Sequence, residues 1–292
     1  MTLAAPRKSK SKKQNKWGEV WHRLKKNRTA MFGLALVIFF VLVAIFADLI
    51  VPYELALEQT SNVRQPPSAE HIFGTDTLGR DLFARIVHGV RPSLLIGIIG
   101  TLIPALIGLV IGGIAGYYGG KFDEISMRIM DTIMCIPQTL LALTIVATLG
   151  FSMTNIIIAM AVSSTPQLAR EDRALVMRIN GQDYVRAAKS YGASDMRIIF
   201  KYLVPNCVGP MIVSSSMTIS LTIIAASSMS FLGMGIQPPQ PELGYMMSEA
   251  RNVMRLAPYL MLIPGVAILL MTLSFNLLGD GLQDAFNPKL KD

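Results

Sequence analysis

The sequence contains few of the residues on which catalytic and metal sites depend. Two cysteines, Cys135 and Cys207, and three histidines are scattered along 292 residues, without the spacing of a zinc site or a disulfide framework. No G-x-x-x-x-G-K-[ST] phosphate loop occurs, since the nearest run, GGKF at 119–122, lacks both the spacing and the hydroxyl. No Ser/His/Asp or Cys/His arrangement is recognisable. These absences predict that the chain is no enzyme, has no catalytic residues and holds no metal.

Charged residues are also scarce. They make up 16% of the chain, hydrophobic residues make up 52%, and the mean hydropathy is +0.47, whereas a soluble domain has about 25% charged residues. Since about 20 apolar residues cross a bilayer core, long uncharged stretches predict an all-α integral membrane protein. These stretches cover residues 31–47, 92–120, 132–169, 202–241 and 256–279.

Six transmembrane helices are expected from these five stretches. The third stretch is too long for one helix and contains the turn sequence LGFSMTN, so it divides into spans near 133–149 and 153–169. The fourth ends in GMGIQPPQPELG, which is poor helix interior, and therefore supplies one span near 207–230.

The placement of lysine and arginine predicts the orientation. With six spans, the N-terminal tail, the loops 118–131 and 170–201, and the C terminus share one side, and they carry most of the 27 basic residues. The N and C termini are therefore expected to be cytoplasmic. The net charge of +8 is attributed to this bias and not to nucleic-acid binding.

The topology divides the chain into four segments, of which the first is a basic tail near membrane lipid. Trp17, Val20, Trp21 and Leu24 fall on one helical face in this tail, which predicts a short interfacial helix. The segments are the cytoplasmic tail 1–28, the first transmembrane helix 29–51, an extracytoplasmic segment 52–91, and a core domain 92–292 with five transmembrane helices.

The extracytoplasmic segment is too short for an independent enzyme domain. It contains the sequence TDTLGRD at 75–81. Thr75 and Asp76 are expected to cap a helix that begins near Thr77, because their side-chain oxygens can accept hydrogen bonds from free backbone N–H groups. Arg80 and Asp81 are expected to form local ion pairs.

No ionisable residue lies in the middle of any expected span. Proton-coupled carriers usually need such groups inside the membrane, so a secondary carrier that works alone is disfavoured, although a sodium site built from carbonyls and hydroxyls stays open. A structural or assembly protein without a pathway is a further alternative. If the chain transports a solute, the energy is expected to come from another chain.

One polar segment interrupts the apolar pattern. Its many charges would each cost about 2.5–3.5 kcal/mol at mid-bilayer, which places 170–201 outside the membrane. Asp183 is expected to cap a short helix that Gly192 closes in the left-handed conformation. Ser194 is expected to cap a second helix, DMRIIFKYL, that ends at Pro205.

A helix of this length is not stable alone in water. Ala187 and Ala188 permit close backbone approach, which favours insertion into the groove of a partner. A solvated connecting loop is the alternative.

The sequence RAAKSYGASDMRIIFKYLVPN resembles the EAA loop of bacterial ABC-importer permeases, whose pattern is E-A-A, three residues, Gly, nine residues, then I-x-L-P. Arg186, Ala187, Ala188, Gly192 and Pro205 occupy this register, with Arg186 in place of the usual glutamate. The loop with its flanks spans residues 170–205.

Other stretches resemble the dipeptide/oligopeptide/nickel branch of these permeases and its C-type subunit. They include HIFGTDTLGRDLFARIVHGVRPSL, IAGYYGGKFDEISMRIMDTI, SFLGMGIQPPQPELGYMMSEAR and LSFNLLGDGLQDAFNPKL. The resemblance covers nearly the whole chain from about residue 17.

The resemblance implies a type I ABC importer permease fold in the cytoplasmic membrane of a bacterium. It implies four partners: a second homologous permease, two ATPase subunits that bind ATP and Mg²⁺, and an extracytoplasmic substrate-binding protein. The expected cargo is a dipeptide or oligopeptide, with nickel, a metallophore or glutathione as alternatives. The short helix becomes a coupling helix seated on an ATPase, and the residues assigned to coupling are Asp183, Arg186, Ala187, Ala188, Gly192, Ser194 and Pro205.

Four glycines recur every four residues in the second span. This spacing lets two helix backbones approach closely. A packing role within the subunit is expected, with a sliding seam as the alternative, for Gly108, Gly112, Gly116 and Gly120.

Overall fold

The computed structural model describes residues 16–286, and these form helices with no β-strand among them, apart from one isolated bridge between Thr75 and Asp81. The all-α fold class is therefore confirmed. A 3₁₀ turn covers Tyr53–Ala56 and a π turn covers Ile199–Leu203. The α-helices are α1 Lys16–Lys26, α2 Arg28–Ile45, α3 Ala47–Ile50, α4 Leu82–Tyr118, α5 Gly120–Met134, α6 Gln138–Leu149, α7 Met153–Asn180, α8 Asp183–Ser190, α9 Asp195–Ile198, α10 Val204–Phe231, α11 Leu243–Ala250 and α12 Tyr259–Phe286.

Within the described residues, four helical segments are long and apolar enough to cross a membrane: α2, α4, the continuous segment Asp195–Phe231, and α12. Helices α5 and α6 qualify together as a fifth, bent by 83° between them. The expected span near 153–169 forms the first part of α7, whose second part carries charges. The number of six and the cytoplasmic side of both termini stay predictions, and the tail before Lys16 and the chain after Phe286 lie outside the described residues.

The expected N-terminal helix is present as α1. Leu24 is buried against Ala30 and Ala285, while Trp17 is exposed and meets the ring of Phe286 edge-on at 5.8 Å. Helix α1 therefore packs against α12 along one side. Its other tryptophan, Trp21, is also exposed.

Helices α4 and α7 pack backbone to backbone, because three glycines line their contact. A Cβ atom at Gly108 would lie 2.9 Å from the backbone nitrogen of Ala169, and one at Gly116 would lie 2.7 Å from the carbonyl oxygen of Arg173. At Gly112 an added Cβ would overlap the carbonyl oxygen of Ala169. These contacts fix α7 along the C-terminal part of α4.

The assignment of Gly120 to this contact is wrong. Helix α4 ends at Tyr118, Gly119 is its C-cap, and Gly120 begins α5 with φ +65°. An added Cβ at Gly120 would meet nothing within 4 Å. The chain turns at these two glycines, which removes the fourth residue of the repeat from the helix face.

The expected helix near Thr77 is also absent, since α4 begins at Leu82 and its cap is Asp81, whose Oδ1 accepts the N–H of Ala84 at 2.8 Å. Asp76 instead accepts the backbone N–H groups of Leu78 and Arg80 at 2.8 and 3.0 Å. Because these bonds fold the chain into a turn through Gly79, with φ +78°, a helix cannot start there.

Two arginines and two acids form a network that joins this turn to α11, with Arg80, Arg85 and Asp76 buried and Glu249 half-buried. Arg80 Nε lies 2.6 Å from Asp76 Oδ2 and Arg80 Nη2 lies 2.8 Å from Glu249 Oε1. Arg85 pairs with Asp76 and lies 2.8 Å from Glu249 Oε2. Arg80 thus forms the expected local pair with Asp76 and a second, distant pair with Glu249. Asp81 instead contacts His71, with 2.8 Å between Oδ2 and Nδ1.

Among the described residues, three large apolar clusters form most of the core, and two smaller ones lie beside α1, α2 and α3. One joins α2, α4, α10, α11 and α12, and a second joins α4, α6, α7 and α10. The third lies where α4, α7, α8, α9 and α10 meet and includes Tyr117, Val185, Ile198, Leu203 and Cys207. This third cluster positions the candidate site.

Candidate coupling surface

Helix α8 begins one residue earlier than a cap at Asp183 would imply. Asp183 is its first helical residue, and the N-cap is Gln182, which has extended backbone angles and makes no capping bond with its side chain. The assignment of Asp183 as the cap is therefore wrong. Its carboxylate still lies in the first turn, where the partial positive charge of the helix N terminus stabilises an acid.

Gly192 adopts the left-handed conformation, with φ +75°. The N–H of Gly192 donates to the carbonyl of Lys189 at 2.9 Å, and the N–H of Ala193 donates to the carbonyl of Ala188 at 3.0 Å. This pair of bonds is a Schellman motif, which closes α8. An added Cβ would meet no atom within 4 Å, so the demand for glycine comes from the backbone angle alone.

Ser194 caps the next helix, since its Oγ accepts the N–H of Arg197 at 3.4 Å. Helix α9 does not end at Pro205, however. It passes through the π turn into α10, in which Pro205 lies in the first turn. A proline is tolerated there because the wider π turn has already shifted the backbone hydrogen bonds, so the expected helix end at Pro205 is wrong.

One face of α8 is attached to the protein body. Val185 is fully buried in the third apolar cluster, beside Ile179 of α7 and Ile198 of α9. Burial of one such side chain contributes about 1.5–3 kcal/mol. This contact explains why so short a helix is ordered in a single chain.

The opposite face of α8 is open. Arg186 and Ala187 are exposed, and Ala188 is half-buried. The neighbouring aromatic Tyr191 is 91% exposed, and Met196 on α9 is 63% exposed. Small residues flanked by exposed aromatic and apolar groups are typical of a surface that enters a partner's pocket.

Tyr191 and Met196 were not predicted as part of this surface, although both are readable in the sequence as large side chains inside a charged segment. Tyr117, the penultimate residue of α4, was not predicted either. It contacts Asp195 of α9 and Lys189 of α8. The Tyr117 hydroxyl donates a hydrogen bond of 2.6 Å to Asp195 Oδ1. No local signal marks that contact, because 78 residues separate the two positions.

Among residues 16–286, no group of three or more histidine, cysteine, aspartate or glutamate side chains is arranged to hold a metal ion. Cys207 is buried and Cys135 is exposed, and neither is in a disulfide.

Two family models match the chain. One, described as binding-protein-dependent transport system inner membrane component, matches residues 108–292. The other, described as the N-terminal TM domain of oligopeptide transport permease C, matches residues 15–67.

Curated relatives cover almost the whole chain. A dipeptide transport system permease protein of Alkalihalophilus pseudofirmus is 42% identical over 275 residues, which are 94% of this chain and 90% of the relative. A glutathione transport system permease protein of Escherichia coli is 43% identical over 276 residues, which are 94% of this chain and 91% of the relative.

Two solved structures share the fold. A methionine ABC transporter in an inward-facing conformation matches with a TM-score of 0.59 and 17% identity over 70% of this chain and 97% of that one. An amino acid ABC transporter matches with a TM-score of 0.54 and 17% identity over 68% and 92% of the two chains.

Proposed function

The chain belongs to the family of binding-protein-dependent transport system inner membrane components, the permeases of ABC importers, and we propose that it conducts dipeptides or oligopeptides into the cytoplasm. The relatives named for dipeptide and glutathione transport support this cargo class. Both names describe short peptides with ammonium and carboxylate groups. Glutathione is therefore the second candidate, and it lies within the same chemical class.

The coupling surface is the observation that carries the proposal. Helix α8 is attached along Val185 and open along Arg186 and Ala187, so it can enter a cleft of a partner without leaving the permease. The partner is an ATPase subunit. When ATP closes the ATPase pair, its clefts move, and the attached helix moves with them.

During transport the permease then switches between two discrete arrangements of its rigid helices. ATP biases this switch only through its different affinity for the two states. The chain itself hydrolyses nothing, and ATP with Mg²⁺ is bound by the two ATPase subunits.

The complete importer contains this chain, a second homologous permease, two ATPases and an extracytoplasmic substrate-binding protein in a bacterial cytoplasmic membrane. Residues 52–91 and 233–255 are the segments proposed to receive the binding protein. The network of Arg80, Arg85, Asp76 and Glu249 supports this assignment, because it holds parts of both segments together.

Purification of a tagged chain from its native membrane tests the proposal. A second permease and two ATP-binding subunits are expected to co-purify, and the complex with its binding protein is expected to accumulate peptide in proteoliposomes only when ATP is supplied. Peptide transport by the isolated chain without ATP would contradict it.

A further inference from the structure

Tyr117 occupies the point at which α4 meets the coupling surface. It lies one residue before the end of a helix of 37 residues, and only 8% of its surface is exposed. Its hydroxyl donates to the carboxylate of Asp195 at 2.6 Å. Because Asp195 opens α9 directly after the loop that follows α8, this bond ties α4 to the coupling segment, residues 183–198, which contains α8 and α9.

The ring of Tyr117 makes a second connection. The ammonium of Lys189, in the last turn of α8, lies 4.7 Å from the centre of this ring. The same ammonium lies 3.0 Å from Oδ1 of Asn180 at the end of α7. Tyr117 thus contacts both parts of the coupling segment, α8 through its face and α9 through its hydroxyl.

In the part of the chain that the structure describes, every polar side-chain contact between residues 183–198 and α4 goes through Tyr117. Apart from the bond between Lys189 and Asn180 of α7, the remaining attachment is apolar, through Val185 and Ile198 in the cluster that includes Tyr117. Apolar packing is non-directional and allows sliding, whereas a short hydrogen bond to a carboxylate is directional and about twice as strong as a neutral one.

We propose that Tyr117 is a positioning residue that makes α4 follow the coupling segment when the ATPases move it. This inference rests on the proposed docking of α8 on an ATPase. Helix α4 in turn lies against the backbone of α7 at Gly108, Gly112 and Gly116, so a displacement received at Tyr117 reaches two membrane helices at once. Loss of the hydroxyl therefore uncouples ATP hydrolysis from transport without preventing docking.

The test uses the assembled importer in proteoliposomes with its binding protein and a dipeptide substrate. Tyr117→Phe removes the hydroxyl and keeps the ring under Lys189. We expect normal assembly and basal ATPase activity, with peptide taken up per ATP reduced about tenfold, as for loss of a hydrogen bond to a charged group. Asp195→Asn keeps an acceptor for the hydroxyl and is expected to retain most of the coupling.

Tyr118→Phe is the matched control, because Tyr118 is the exposed neighbour of Tyr117 and its hydroxyl makes no hydrogen bond among the described residues. Wild-type uptake per ATP in Tyr117→Phe, or an equal loss in Tyr118→Phe, would overturn the inference. Loss of the assembled complex in Tyr117→Phe would also overturn it, since the bond would then serve folding.

Failure of the proposed function has a different signature. Ala187→Trp alters the docking face and leaves Tyr117 in place. If the ATPases still assemble with Ala187→Trp and couple normally, the docking proposal is wrong. If Ala187→Trp prevents assembly while Tyr117→Phe couples normally, only the role of Tyr117 is wrong.

Discussion

Gly112 of α4 lies directly against the carbonyl group of Ala169 in α7, with no room for a side chain between them. The neighbouring Gly113 faces away from this contact, and an added Cβ there would meet nothing within 4 Å. Of these two adjacent glycines, only Gly112 is required by helix packing, so substitutions at the two positions should differ in their effect on stability.

Gly112→Leu is expected to destabilise the permease, because overpacking a tight contact costs about 1–3 kcal/mol and here the obstacle is backbone. The midpoint of thermal unfolding in detergent should fall by several degrees. Gly113→Leu is the control and should leave the midpoint unchanged or raise it, since leucine is a better helix former than glycine. Equal midpoints for the two variants would refute the close α4–α7 contact.

Gly192→Val is expected to abolish substrate-stimulated ATPase activity while the protein still inserts into the membrane. Valine is strained at φ +75°, so the closing turn of α8 would be lost. Gly181→Ala, at the end of α7, is the control, because Gly181 has φ −76° and accepts a side chain. Normal coupling in Gly192→Val would show that this turn is dispensable.

Ala187→Trp is expected to prevent assembly with the ATPases, because the indole would occupy the open face of α8. The quantity to measure is the amount of ATPase retained on the purified permease. Ala187→Ser keeps the size of the side chain and should assemble normally. Unchanged assembly and transport in Ala187→Trp would remove the groove argument.

Glu249→Gln is expected to lower the free energy of unfolding by about 3 kcal/mol, the lower end of the cost of removing one partner from a buried ion pair, because the Glu249 side chain is 19% exposed. Arg80 and Arg85 would then share the single charge of Asp76. Thermal unfolding of the purified permease measures the loss. Glu70→Gln, at an exposed acid of the segment that contains Asp76 and Arg80, should change nothing, and an equal effect of both variants would rule out a special role for the network.

Hydropathy and composition were sufficient to predict the main helices, because the apolar stretches of α2, α4, α10 and α12 are long enough to cross a bilayer. Local rules also placed Gly192 and Ser194 at helix ends, since a left-handed turn and a hydroxyl cap depend on a few adjacent residues. The same rules failed at Asp76, whose carboxylate is engaged by Arg80 and Arg85, and the network also includes Glu249, which lies 169 residues beyond Arg80.

The failures at Pro205 and Gly120 have another origin. A π turn before Pro205 and a pair of glycines with positive φ at 119 and 120 are backbone choices that the residue pattern leaves open. The bond between Tyr117 and Asp195 was missed because it depends on how α4 ends relative to α9.

Site-directed crosslinking tests the central claim most directly. In a background with Cys135 and Cys207 replaced, a cysteine is placed at Tyr191, the most exposed aromatic side chain beside α8, in the assembled importer. It is treated with a short crosslinker that carries one maleimide for this thiol and one photoreactive group that needs no thiol on the partner. We expect a crosslink to an ATPase subunit and labelling only from the cytoplasmic side of sealed vesicles. Labelling of this cysteine from the outside, or its failure to crosslink to any ATPase in an active complex, would contradict the account.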